Sequence, residues 1–211
     1  PNPGSWLVRG AWILMAYGAI LTAWLVWAVL GTPGGPAAGP LAGVAAIVGV
    51  LAAGYTGWLF AQCRGRVLWL ARGLWLRFAL HALAAGAATA LIAGAFVGVP
   101  LEVAERARWV LIATLVAEAL LGEVSHRAAP RGREAEFRRV VATTATGPFR
   151  SRRRAADVVG FYLAMPLLVI GPQVPTAGDA VFWTAGAVLV LIGLALEQDV
   201  LVRAGQAVPI S

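Results

Sequence analysis

Residues 11–30 read AWILMAYGAILTAWLVWAVL, twenty positions without a single charge. A bilayer core about 30 Å thick is crossed by roughly 20 helical residues. The stretch therefore predicts a transmembrane helix, with Trp12, Trp24 and Trp27 toward its ends. The run that follows, GTPGGPAAGP over Gly31–Pro40, is made of helix breakers and predicts a turn. Leu41–Gln62 is a second uncharged run, carrying Gly54-Tyr55-Thr56-Gly57 in its last third.

Composition agrees with a lipid setting. The 211 residues are 60% hydrophobic and 13% charged, against roughly 25% charged in an ordinary soluble domain. So short a chain could not hide that much apolar surface from water. The net charge is +7, carried by arginine alone, since the chain has no lysine. Thirteen of the 17 basic residues fall in two stretches. Arg64, Arg66, Arg72 and Arg77 occupy the first. Arg127, Arg131, Arg133, Arg138, Arg139, Arg150, Arg152, Arg153 and Arg154 occupy the second. Arginines flanking apolar runs read as topology signals rather than as a nucleic-acid footprint.

The fold expected is an all-α integral membrane bundle of six spans, at about 11–30, 41–62, 78–101, 109–125, 158–178 and 180–200, in one transmembrane domain over 1–211. Residues 63–77, where arginines alternate with Leu68, Trp69, Leu70, Leu74, Trp75 and Leu76, predict a short amphipathic helix in the headgroup layer. Ala82, Gly86, Ala90, Gly94 and Gly98 predict one smooth helix-packing face on the third span. Glu102, Glu105, Arg106 and Arg108 predict a short charge-balanced connection. Pro166, Pro172 and Pro175 are expected to bend or end the fifth span. Alternating six spans puts the arginine-rich segments 63–77 and 126–157 on one face, cytoplasmic by the positive-inside rule. The chain opens on Pro1 with no signal-peptide pattern and is expected to start inside a longer sequence.

Few residues offer chemistry. Glu118 lies within the fourth span among Leu115, Val116, Ala119 and Leu120. A carboxylate at that depth is costly and marks either a proton-relay group or an acid hydrogen-bonded between helices. Arg106, at the start of the same span, either pairs with Glu102 or Glu105 or reaches inward toward Thr114. Tyr55, flanked by Gly54 and Gly57, has a hydroxyl that needs a partner in lipid. A quinone carbonyl meets that need, and so does another helix's backbone. His81 and His126 fall at span ends on the arginine-rich side and are expected to be solvated rather than haem-ligating. Cys63 is the one cysteine and is expected to be inert. No phosphate loop, metal-ligand spacing or Ser/His/Asp set occurs, so redox chemistry would need a bound quinone or cofactor.

Several stretches together resemble the polysulfide-reductase membrane-subunit family, the NrfD/PsrC-like quinol-interacting proteins. Pro3-Gly4-Ser5-Trp6 followed by Trp12 is similar to the approach to that family's third helix. Gly54-Tyr55-Thr56-Gly57 resembles its Gly-Tyr-Thr-Gly motif, and Glu118 falls where the family has a glutamate. Gly147-Pro148-Phe149 with Gly160 and Pro166, and Arg203-Ala204-Gly205-Gln206 with Pro209 and Ser211, resemble its later helices and its ending. The resemblance implies a haem-free membrane anchor without its own iron–sulfur cluster, lacking the family's first two helices. It implies quinone or quinol (menaquinone or ubiquinone) bound at Tyr55, Gly54 and Gly57. It implies a proton pathway through Glu118, Arg106 and Thr114. It also implies an iron–sulfur electron-transfer subunit docked on Arg64, Arg66, Arg131 and Arg133, serving a catalytic, molybdopterin-type subunit at the bacterial inner membrane. Relatives often carry a basic residue where this chain has Glu197 and Asp199, and often place the partner on the outer face. Two other classes fit the sequence: a small multi-spanning transporter or channel, and a purely structural anchor.

Overall fold

A computed structural model describes residues 4–30, 38–125, 129–170 and 178–207. The described residues contain no strand. Helix α1 spans Trp6–Leu30, α2 Ala38–Phe60, α3 Leu74–Val97 and α4 Leu101–Ser125. Two short helices follow, α5 over Glu134–Ala145 and α6 over Arg150–Asp157. Helix α6 runs through a π-helical segment, Val158–Leu163, into α7, Ala164–Ile170. Helix α8, Gly178–Ala207, closes the described chain.

The apolar runs become helices because their residues favour the backbone ladder and lipid leaves no other partner for it, and glycine bounds α3 at both ends. Helix α3 starts after Gly73 and ends at Gly98, both left-handed (φ 81° and 69°), a conformation glycine adopts without a Cβ penalty. Pro166 lies inside the helical stretch and does not end it. Pro172 and Pro175, and the expected turn through residue 37, lie outside the described residues.

Among the described residues, four helices are long and apolar enough to cross a membrane: Trp6–Leu30, Ala38–Phe60, Leu74–Val97 and Val181–Ala207. This is fewer than the six spans expected, for two physical reasons. Helix α4 has the length but opens with Glu102, Glu105, Arg106 and Arg108 and carries Glu118 in its second half. The helical stretch 150–170 begins with four arginines, which leaves 158–170 as its apolar part. The amphipathic helix expected over 63–77 is also not formed. Gly65 and Gly73 divide that segment into turns, a single 3₁₀ turn at Val67–Leu70, and the first residues of α3. The connection expected at 102–108 is instead the first two turns of α4.

The buried core joins α3, α4, α7 and α8. Ala84, Ala87, Ala88 and Leu91 meet Leu111 and Leu115, Ala164 and Leu168, and Trp183, Ala187 and Val190. The small-residue face expected on α3 is displaced by about half a turn. Ala82, Gly86, Ala90 and Gly98 are exposed and only Gly94 of that set is buried, while the packed stripe runs through His81, Ala84, Ala88 and Leu91. Glycine does bring other helices together. A Cβ on Gly57 would fall on the Trp75 backbone, and one on Gly160 would lie 2.8 Å from Gly193 Cα. Small residues at such crossings let helices approach closely in lipid. By contrast, Trp12, Met15, Leu25, Leu30, Ile47 and Phe96 point away from the bundle, a continuous apolar exterior unlike a soluble surface.

At the end where the arginines lie, aromatic rings form a chain. Trp6 stacks on Trp58 (4.7 Å between centroids), Trp58 on Trp75 (5.6 Å), and Phe60 on Trp69 (4.7 Å). Aromatic rings concentrate at membrane–water interfaces in this way. A small second core of Val67, Phe137 and Val140 fastens α5 to the 3₁₀ turn.

Candidate functional site

A cluster of charged and polar groups collects inside the bundle beneath the arginine-bearing segments. Helix α3 contributes Arg77 and His81, one helical turn apart. Helix α4 contributes Glu118, and α6 contributes Arg153 and Asp157. From α8 come Glu197 and Gln198. These residues, apart from His81 and Gln198, line a cavity of about 220 Å³, completed by Leu115, Gly160, Phe161, Tyr162 and Leu194.

Glu197 is the hub. One of its carboxylate oxygens accepts from Arg77 and lies 3.8 Å from Arg153 Nη1. Its other oxygen is 3.3 Å from His81 Nε2. The His81 side chain is only 7% exposed, and its Nε2 also lies 3.8 Å from Glu118 Oε1. On the far side of the ring, Gln198 Nε2 lies 2.6 Å from Nδ1. With the amide nitrogen donating to Nδ1, the ring carries its proton on Nε2, on the side where the two carboxylates lie. Even so, His81 Nε2 and Glu118 Oε1 are both buried without a hydrogen-bond partner. Buried polar atoms left unsatisfied are few in folded proteins, and such atoms mark strain, function or a missing ligand. Arg153 is held by Asp157 at 3.1 Å. At the outer edge of the same end, Asp199 takes Arg203 at 2.6 Å and also pairs with Arg152.

The structure brings only part of the expected site together. Glu118 lies inside the bundle beside a histidine and another carboxylate. Arg106 does not join it. Its side chain is 83% exposed and pairs loosely with Glu102 at 3.9 Å. Twelve residues of helix, about 18 Å at 1.5 Å per residue, separate the two positions along α4. Thr114 is buried, and its hydroxyl donates to carbonyls of its own helix, Val110 and Leu111. Tyr55 is half-buried, with its ring packed over Gly10 of α1. Gly54 and Gly57 are buried against Trp75, which fills the space their missing side chains leave.

The four arginines expected at the docking surface divide into two pairs. Arg64 and Arg131 are exposed. Arg66 reaches the end of α8 and donates to the Gln206 carbonyl at 2.7 Å. Arg133 grips Glu136 through Nε and Nη2, at 2.7 and 2.6 Å, and also donates to the Arg64 carbonyl.

Three features escaped sequence reasoning. His81 is buried rather than solvated. His126 lies outside the described residues. Glu197, noted from sequence only as a departure from the family pattern, organises the cluster. Position on α8 was the available signal, because its apolar run continues past residue 197 into Val200 and Leu201. Arg108 is buried as well. Its guanidinium sits between Trp109 and Trp183, at 4.5 and 5.1 Å from the ring centroids, and donates to the Leu168 carbonyl at 3.2 Å. Cys63 is exposed and unpaired.

A scan of protein-family models gave no match to this chain, and searches of curated proteins and of solved structures gave none either.

Proposed function

We propose that this chain is a quinone-interacting membrane subunit of a multisubunit oxidoreductase, passing electrons to an iron–sulfur partner at its arginine-bearing end. In this reading α4 and the helix through 150–170 complete six crossings of a bacterial inner membrane. The observation that carries it is the cavity beneath the arginines, lined by Glu118 and Glu197 with His81 beside both carboxylates. Oxidising one quinol releases two electrons and two protons. The electrons need an acceptor within reach, which in this reading the iron–sulfur partner supplies. The protons need an acceptor at the site, and the Glu118 carboxylate, whose Oε1 is unpartnered, is such a group. Arg77 and Arg153 fit the transient negative charge of a deprotonated headgroup. The half-buried Tyr55 ring lies on the α1–α2 side of the bundle, packed over Gly10 and away from that cavity, so its part in this reading is a second contact surface on the quinone's path rather than the cavity wall. Exposed Arg64 and Arg131 would face the partner.

The test uses the protein purified from membranes with whatever accompanies it. Mass spectrometry is expected to find an iron–sulfur protein, and a photoreactive quinone is expected to label peptides near Glu118 or Tyr55. Absence of both, or labelling that excess quinol does not reduce, would defeat the proposal.

One observation favours a second reading, a structural anchor without a quinone site. Tyr55, Gly54 and Gly57 are all engaged in helix packing, against Gly10 and Trp75. That reading predicts co-purification of the partner with no saturable quinone binding.

A further inference from the structure

We infer that His81, Glu118 and Glu197 form a binding site for a divalent first-row transition ion of the zinc class. Nothing in the spacing of these residues along the chain suggests this, because they come from three different helices. The fold places a His Nε2 and two carboxylate oxygens within 4.8 Å of one another. In a tetrahedral zinc site the bonds of about 2.0–2.2 Å put neighbouring ligand atoms roughly 3.3–3.5 Å apart. The two separations from His81 Nε2, 3.3 Å to Glu197 and 3.8 Å to Glu118, lie close to that edge length.

A second observation points to a ligand independently of the acidic residues. The His81 side chain is more than nine-tenths buried, and its Nε2 has no hydrogen-bond partner although both carboxylates lie within 3.8 Å of it. Glu118 Oε1 is orphaned in the same place. One ion would satisfy both atoms together. Outer contacts are also in position. Metal-bound histidines have their second ring nitrogen held by a neighbour, and Gln198 stands 2.6 Å from Nδ1. A half-turn of the Gln198 amide presents its oxygen, so that Nδ1–H donates while Nε2 binds the ion. Arg77 fixes Glu197 through Oε1 and leaves Oε2 for the metal. The cavity lined by Glu118 and Glu197 leaves room for a fourth, exogenous ligand.

Charge narrows the choice of ion. Two carboxylates neutralise a divalent cation, but Arg77 and Arg153 stand beside them, with Asp157 pairing Arg153. That surplus disfavours a hard ion held by electrostatics alone. Mg²⁺ and Ca²⁺ also prefer all-oxygen shells. An imidazole donor suits zinc, iron, cobalt or nickel.

This inference concerns the same atoms as the quinone proposal, since a bound ion would take Glu118 Oε1 out of the proton-accepting role, but its test reads metal binding alone and so does not depend on whether quinone binds. The full chain in lipid nanodiscs, stripped with chelator, is titrated with Zn²⁺ and with Co²⁺ in the presence of excess Mg²⁺. One Zn²⁺ per chain is expected, undisturbed by Mg²⁺, and X-ray absorption should show an imidazole with oxygen neighbours and no sulfur. His81→Ala and Glu118→Gln should each weaken binding by about tenfold or more, the scale of effects at such sites. His126→Ala should change nothing. No binding, binding untouched by both substitutions, or a sulfur neighbour from Cys63 overturns the site. If either variant fails to purify as a monodisperse protein, the absorption spectrum of the unaltered chain decides alone.

Discussion

Glu197 divides its carboxylate between two residues of α3: one oxygen holds Arg77, and the other faces His81 Nε2 at 3.3 Å. That division ties the end of α8 to the start of α3 beneath the arginine-rich surface. It also sets the charge of the cavity, because Arg77 and Arg153 both look toward the same carboxylate.

Breaking this pair should be costly. The Arg77 and Glu197 side chains are 20% and 17% exposed, so each depends on the other more than a surface pair does. Removing one partner of a buried pair leaves a charge stranded, at about 2–3 kcal/mol once this residual exposure is allowed for. Glu197→Gln and Arg77→Gln should each lower the thermal midpoint in detergent, and the double variant should lose clearly less than the sum. Additive losses would show that the two side chains do not depend on each other.

Helix α2 should tolerate no side chain at Gly57. A methyl group there would meet the backbone of Trp75 and Leu74, which cannot turn aside as a side-chain tip can. Gly57→Ala should therefore force α2 and α3 apart, at about 1–3 kcal/mol, the usual scale for overpacking. Gly86→Ala on α3 is the matched control, since nothing lies within 4 Å of its added Cβ. Comparing the two thermal midpoints checks this. Equal values would mean the α2–α3 contact is looser than described.

These contrasts explain what could be read from the chain. The uncharged runs announced their helices because length and apolarity alone decide them. Helix α4 shows where that rule weakens. Its opening charges read as a loop, yet Arg108 is drawn inward by Trp109 and Trp183. A small-residue period likewise marks a face able to pack, without saying whether a neighbour is there. Gly86 sits on such a face and is exposed, whereas Ala84 and Ala88 are fully buried. Glu118 was legible by itself because a carboxylate inside an apolar run is conspicuous. Its companions were not, since His81 and Glu197 are 37 and 79 residues away in sequence (118 − 81 and 197 − 118), and only helix packing unites them.

Arg108 offers a test of buried charge. Its guanidinium plane lies among two indoles and one carbonyl, so much of its contribution is contact area and cation–π attraction. Such interactions reach roughly 2 kcal/mol each when desolvated. Arg108→Ala would lose both and open a void beside Leu111. Arg108→Met fills most of the volume without a charge to desolvate, and replacing a buried ion by a hydrophobe of similar size is often neutral. The expected order of thermal stability is wild type about equal to Met, with Ala well below. If Met is as damaging as Ala, the charge itself holds the site.

The arginine surface should separate into docking and scaffolding roles. Arg64 and Arg131 are exposed, whereas Arg66 is bonded to the end of α8 and Arg133 to Glu136. An acidic electron-transfer partner would be steered by the exposed pair, an effect that fades as salt shortens the Debye length below about 10 Å. Reversing Arg64 and Arg131 to glutamate should slow association and flatten its dependence on ionic strength, with no change in thermal midpoint. Arg66→Ala should do the opposite: it frees the Gln206 carbonyl, lowers the midpoint slightly by loss of one charge-assisted hydrogen bond at a helix end, and leaves association at low salt nearly intact. Surface plasmon resonance at several salt concentrations, run beside thermal melts, distinguishes the two behaviours. Should Arg64 and Arg131 reversal leave association unchanged, the partner must bind elsewhere on the chain.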